Sequence, residues 1–267
     1  MTGVQTCALP ICDGVGFDQD VQAKQAESRR LLRLYALSDE ASKALWHELD
    51  LAYFLRHDPQ EIAWQTRHLH YRVTPEKPVV KTRLSPIGEG IQVMIYCRDQ
   101  PDLFARICGY FGQLGDNILD AKVHTTRHGY ALDTFLVLSP PGSSPYREMS
   151  SLIEHDLAER LERHAPLPPP VNGRVSRQLK HFPVTPEVHI RPDERGPYHV
   201  LSITAGDRPG LLYAIARVLS EYHISLHTAK IVTLGERAED VFVVTGAALA
   251  NERTMLQVET DLLAALQ

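Results

Sequence analysis

Two stretches of this 267-residue chain carry the same chemistry at the same spacing: Asp99-Gln100-Pro101-Asp102-Leu103 and Asp207-Arg208-Pro209-Gly210-Leu211. In the second, Pro209 is expected where a helix begins, a position at which its missing N–H costs nothing. Gly210 has no Cβ, so a ligand can approach the N–H groups of the first turn. Those groups and the positive end of the helix dipole suit a carboxylate. Asp207, ending the preceding strand, is placed to accept from an ammonium. Both groups together describe a free amino acid. A capped turn with no ligand is the commoner meaning of such a corner on its own. The first stretch has Asp102 where the second has Gly210. A carboxylate there favours its own helix start by ~0.3–1 kcal/mol but repels an incoming carboxylate. A weaker site is expected there, or one that reads the ammonium.

Other chemistry-bearing residues lack a complete set of partners. His57-Asp58 and His155-Asp156 suggest metal ligands, yet a hydrolytic centre needs further His and Asp on neighbouring helices. Both pairs are expected to be solvated surface residues. His124, His128, His223 and His227 show no metal-ligand spacing. The basic run Arg174–His181 reads as a solvated stretch. The four cysteines, Cys7, Cys12, Cys97 and Cys108, form neither a disulfide framework nor a zinc pattern. No catalytic and no metal-ligating residue is assigned.

The corners belong to a repeat. Asp99-x-Pro101-x-Leu103 recurs as Asp207-x-Pro209-x-Leu211, Ala121-Lys122 as Ala229-Lys230, and Asp133-x-Phe135-x-Val137 as Asp240-x-Phe242-x-Val244. Ile91–Cys97 and Tyr198–Thr204 are short apolar runs that read as strands. Leu103, Ile107, Phe111 and Leu114 fall at helical spacing, as do Leu211, Ile215, Leu219 and Tyr222. Ala121, Val123, Thr125 and Ala229, Ile231, Thr233 alternate as strands do. Turn residues Arg127-His128-Gly129 and Gly235-Glu236-Arg237 precede a third strand. Ile153, Leu157 and Leu161, and in the second copy Met255, Val258, Leu262 and Leu266, mark a closing helix. Each unit reads β-α-β-β-α, a ferredoxin-like split βαβ short of one strand. Val188–Arg191, beyond the stiff Pro166–Pro170 break, is the one segment expected to supply that strand, to either sheet. The two copies are therefore expected to pack as one unit.

Composition narrows the function classes. With 43% hydrophobic and 23% charged residues the chain reads as an ordinary soluble protein, and cytoplasm is the default. A net charge of −5 gives no basic footprint for nucleic acid, and no apolar run is long enough to span a membrane. Met1–Cys12 has no basic n-region. It resembles the translation of a sequencing adapter, so it is set apart as non-native, and the chain is expected to be a fragment cut on its N-terminal side.

The strand–DRPG–helix arrangement of the second copy resembles an ACT domain, a family of small-molecule sensors. The tandem resembles the C-terminus of the bifunctional uridylyltransferase/uridylyl-removing family of bacterial nitrogen regulation. The resemblance rests on CRDQPDLFARICGYFGQLGDNILDAKVHTTRHGYALDTF, RQLKHFP and DRPGLLYAIARVLSEYHISLHTAKIVTLGERAEDVF, with YFLRHDPQEIAWQTRH upstream. It implies an α+β fold: two ferredoxin-like βαββαβ ACT domains at 91–165 and 198–267, with a linker at 166–197. Residues 13–90 would be a helical remnant ending the hydrolase domain, its core packed by Trp46 and Trp64. It implies a glutamine effector, PII signal protein as partner of the parent enzyme, Mg for that parent and no cofactor in this chain. The implied effector residues are Asp99, Gln100, Pro101, Asp102, Asp207, Arg208, Pro209, Gly210 and Leu211. Asn117 and Ser225 join them, standing where ACT domains often place a polar contact; either serves equally as a turn residue. The chain itself would not be an enzyme, while the parent would be a nucleotidyltransferase with a hydrolase activity. The sensor tail of another amino-acid enzyme, a ligand-free ACT module that self-associates, and a small hydrolase using His57-Asp58 are the rival readings.

Overall fold

The computed structural model describes residues 14–86, 88–140, 142–169, 184–193, 196–235 and 237–266. Met1–Cys12, RQLKHFP and the run Arg174–His181 lie outside these residues. The chain divides into two units, Met1–Val73 and Thr74–Gln267.

The first unit is helical: α1 (Gly14–Leu34), α2 (Glu40–His47), α3 (Leu51–Arg56) and α4 (Pro59–Leu69). Local chemistry sets the boundaries. Asp50 accepts from the Tyr53 N–H at 2.9 Å to start α3, and Asp58 accepts from the Glu61 N–H at 2.8 Å ahead of Pro59. Lys24 Nζ donates to the carbonyls of Phe54, Leu55 and His57 where α3 ends. Leu32, Leu45, Tyr53, Ile62 and Leu69 are buried. Trp46 is buried too and donates to Thr66 Oγ1 at 2.8 Å. The expectation of a solvated His57-Asp58 pair is overturned for His57, while Asp58 is exposed. His57 is only 1% exposed, stacks on Tyr53, and has Nδ1 at 2.8 Å from the Tyr53 carbonyl. Glu61, fully buried one turn later, explains how an imidazole can sit there: the two polar groups go down together. Asp58 caps the start of α4. His155-Asp156 does sit at the surface, with Asp156 3.1 Å from Arg160.

The second unit holds both repeats. Strands β1 (Val79–Leu84), β2 (Ile91–Arg98), β3 (Asn117–Lys122) and β4 (Tyr130–Leu138) form an antiparallel sheet in the order β1-β2-β4-β3. Helix α5 (Leu103–Leu114) links β2 to β3. After β4 come α6 (Tyr146–Leu152), a π-helical turn (Ile153–Leu157) and α7 (Ala158–Glu162). The second sheet uses β5 (Glu187–Pro192), β6 (His199–Gly206), β7 (Ser225–Lys230) and β9 (Arg237–Thr245) in the equivalent order β5-β6-β9-β7, with the short β8 (Thr233–Leu234) beside β9. Its helices are α8 (Leu211–Glu221) and α9 (Glu252–Leu266).

The fourth strand of each sheet comes from a place only partly foreseen. Val188–Arg191 lies within β5 and pairs with β6, so it belongs to the second sheet. The first sheet does not need it, because Val79–Leu84 pairs with β2 along its whole length. Its alternation is weak, since Lys81, Thr82 and Arg83 are all half-buried, which leaves a poor strand signal. In both copies the added strand precedes the βαββα unit and occupies the same sheet edge.

One apolar core nonetheless runs through both copies. It joins Ile95, Ile107, Phe111 and Phe135 to Ile203, Ile215, Leu219 and Phe242. α5 packs on α8, and the edge strands β3 and β7 pass one another. Phe104 meets Phe242 edge-on at 6.4 Å. Over the helix pair lies Pro168, whose carbonyl accepts from the Tyr213 hydroxyl. A Cβ at Gly109 would stand 2.7 Å from Pro168 Cγ and 2.8 Å from Tyr213 Cε2, so only glycine lets the segment lie this close. Gly109→Val is expected to cost ~1–3 kcal/mol by overpacking, although glycine is normally the poorer helix residue. Urea midpoints would check this; a stabilised variant would contradict the packing.

Candidate effector site between the two repeats

Both Asp-x-Pro corners form the same backbone turn. Leu211 N–H closes onto the Arg208 carbonyl at 3.1 Å, and Leu103 N–H onto Gln100 at 3.3 Å. Pro209 and Pro101 are the second residues of these turns, and Gly210 (φ 84°) and Asp102 (φ 61°) the third, both left-handed. Pro209 therefore precedes the helix cap and is not a first-turn residue as expected. Gly210 takes this positive φ without the strain that the side chain of Asp102 incurs in the other copy. Beyond each turn, Ala214 N–H bonds Gly210 and Arg106 N–H bonds Asp102. The N–H groups of Leu212 and Tyr213, and of Phe104 and Ala105, are thereby left at the open helix ends.

Each corner faces the other repeat. Asp207, Gly210 and Leu212 share a cleft with Gly112, Asp116 and Asn117 of the first repeat. Asp99, Asp102 and Phe104 share the counterpart with Ser220, Ile224 and Ser225 of the second. Asn117 and Ser225 thus do stand beside a corner, but across the interface and not within their own copy. Asn117 Nδ2 donates to Asp207 Oδ2 at 3.1 Å. Ser220 Oγ donates to Asp102 Oδ1 at 2.6 Å, which gives that left-handed aspartate a partner. Arg208 lines its cleft and reaches the Ala265 carbonyl at 2.8 Å, near the end of α9.

Two lining residues were missed by the sequence reading: Asp133 and Asp240. Ala131, Asp133, Phe135 and Val137 alternate onto the core face of β4, as Ala238, Asp240, Phe242 and Val244 do on β9. A carboxylate between two core residues, repeated in both copies, was the available signal. Asp133 is 1% exposed and accepts from the His124 N–H at 3.2 Å. Asp240 is 2% exposed and has the Val232 N–H at 3.4 Å. Burial pushes its carboxyl up to about 7; the Val232 N–H opposes this and Asp207 adds to it. Asp116 is pushed up by burial as well. Burial raises the Cys97 thiol to about 12 and raises the Cys108 thiol well above its ordinary value, so both stay protonated at neutral pH.

Among the described residues no group of three or more His, Cys, Asp or Glu could hold a metal ion. The Mg implied by the resemblance finds no ligand set there. No described helix is long and apolar enough to cross a membrane.

Comparison with known proteins agrees with this architecture. A family model described as "ACT domain" matches residues 199–253, and one described as "Uridylyltransferase GlnD fifth domain" matches residues 17–68. The bifunctional uridylyltransferase/uridylyl-removing enzyme of Cupriavidus pinatubonensis is 56% identical over 248 residues. Its namesakes in Ralstonia nicotianae and Burkholderia vietnamiensis are 53% and 51% identical over 253 and 247 residues. The chain corresponds to the C-terminal region of that enzyme family. These alignments take in 91–92% of the chain but only 28–29% of each relative. The relatives are enzymes by name, and the chain matches less than a third of each. The second repeat is the ACT domain that the family model matches, and the first repeats its fold. No solved structure matches the chain.

Proposed function

We propose that the repeats sense a free amino acid for an enzyme of the uridylyltransferase/uridylyl-removing family, with glutamine as the effector. One observation carries this: each corner is completed by the other repeat, so anything bound there touches both. Open N–H groups at a helix end suit a carboxylate, and a strand-end aspartate suits an ammonium. The contacts would come from the two corners, Asp99–Leu103 and Asp207–Leu211, with Ser225 and Asn117 opposite. A ligand that prefers one packing of the repeats shifts the population between packings by that difference in affinity. In a whole enzyme this would bias transfer of uridylyl groups to PII signal protein against their removal, in the service of nitrogen assimilation. Mg for the transfer would be bound by residues other than those described.

Denaturation midpoints with a panel of amino acids test this reading. At a hundredfold excess over Kd, a ligand specific for the native state should add about 2.7 kcal/mol. No shift with any amino acid at millimolar concentration would leave a pairing module without a ligand. The Asn117–Asp207 contact, which satisfies one corner from within, favours that second reading.

A further inference from the structure

The closing helix of each repeat grips the outer edge of its own sheet at the same place. β1 and β5 are the end strands of the two sheets, and the outward backbone groups of an end strand are a template for another strand. Glu259 of α9 accepts from the Ile190 N–H of β5 at 2.8 Å. Glu154, in the π-helical turn of the first repeat, accepts from the Thr82 N–H of β1 at 2.8 Å and from the Thr82 hydroxyl at 3.0 Å. It also pairs with Lys81 at 2.6 Å. The two grips are equivalent in the repeat. Thr82 lies opposite Val93 and Ile190 opposite Leu201, while Glu154 follows the buried Ile153 as Glu259 follows the buried Val258. Pro78 and Pro186, which have no N–H to offer, stand just before the two strands.

The edges differ in what they offer a partner. Along β5, Glu187, His189 and Arg191 are exposed on one face. The Ile190 N–H points away from β6, and Val188, two residues earlier, directs its backbone groups the same way. An antiparallel strand of the same sequence, centred on His189, sets Val188 against Ile190 on either side of the centre. It also sets Glu187 opposite Arg191 of the second copy, a favourable cross-strand pair made twice. Leu256, 60% exposed, lies one turn before Glu259 on α9 and extends this edge with an apolar residue. The same pairing of β1, centred on Lys81, sets Lys81 against Lys81, and like charges directly opposite are unfavourable. Ser151 stands there in place of Leu256.

We propose that the β5 edge is a docking surface for a second copy of this chain, antiparallel through Val188 and Ile190, and that Glu259 holds it shut. Both residue pairs of that short ladder need the Ile190 N–H, so one carboxylate blocks the whole of it. When Glu259 swings away, the edge opens without any change in the sheet behind it. The β1 edge has the same guard but not the same complementarity, and it stays unpaired.

Sedimentation equilibrium of the full chain tests the proposal. Wild type should be monomeric, and Glu259→Leu should self-associate at least about tenfold more tightly, toward twice the mass. Glu259→Gln keeps an acceptor oxygen for the Ile190 N–H and should stay monomeric. Glu154→Leu makes the same change at the other edge and should stay monomeric too. Adding Arg191→Glu to Glu259→Leu sets like charges opposite each other and should restore the monomer. Glu259→Ala answers for Glu259→Leu if that variant does not fold, and its Ile190 amide should resist hydrogen exchange only at high protein concentration. A wild type that is already dimeric shows that Glu259 holds nothing shut. A folded Glu259→Leu or Glu259→Ala that stays monomeric, or a dimer indifferent to Arg191→Glu, overturns the docking surface. Equal association of Glu154→Leu overturns the choice of edge.

Discussion

Asp240→Asn is expected to make the repeats more stable above neutral pH by up to about 4 kcal/mol. In the native protein burial lifts this carboxyl from 3.8 to about 7. Below pH 3.8 the group is protonated whether the chain is folded or not, and it costs nothing. Between there and about 7 the native state keeps a proton that the unfolded chain has released. Stability therefore falls as pH rises through this window, by about 1.4 kcal/mol per unit, and levels off above it. Asparagine keeps the shape, keeps an acceptor for the Val232 N–H, and carries no charge to desolvate. The gain should be near zero at pH 3.5 and approach its full size at pH 8. Asp116 is shifted in the same direction, but it contributes equally to both proteins and cancels in the difference. Urea titrations of the two proteins across this range would read the effect directly. Parallel curves would mean that Asp240 is solvated or paired in solution.

Phe242→Ala should remove about 3–5 kcal/mol, a large part of the roughly 5–15 kcal/mol typical of a domain. The ring is fully buried on β9, so truncation loses its transfer energy and leaves a cavity. It also touches Phe104 of the other repeat, a contact of a kind worth about 0.5–1.5 kcal/mol beyond area. The cycle of Phe104→Ala, Phe242→Ala and the double variant should show coupling of at least about 0.5 kcal/mol. Both copies should unfold in one transition in each protein, because the core is continuous across them. Additive losses with two separate transitions would show the copies to be independent.

Much of this was legible in the sequence because it depends on local periodicity. The core strands, the helices led by Leu103 and Leu211, and the turn before each third strand follow from spacings of two and of three to four residues. Two copies in register made the repeat unmistakable. The corners were legible as well, since Asp, Pro and Gly signal a turn wherever they stand close together. What the sequence could not decide were relations between residues distant along the chain. Val79–Leu84 became a strand because β2 offers it a full ladder, despite its weak alternation. His57 became buried because Glu61 goes down beside it. Asn117 came to face Asp207, and Ser225 the Asp99 corner, only because α5 and α8 pack together. The sequence alone determined that two equivalent Asp-x-Pro corners exist. Tertiary packing decided that each is completed by the other copy, because a cleft depends on side chains that no local pattern brings together.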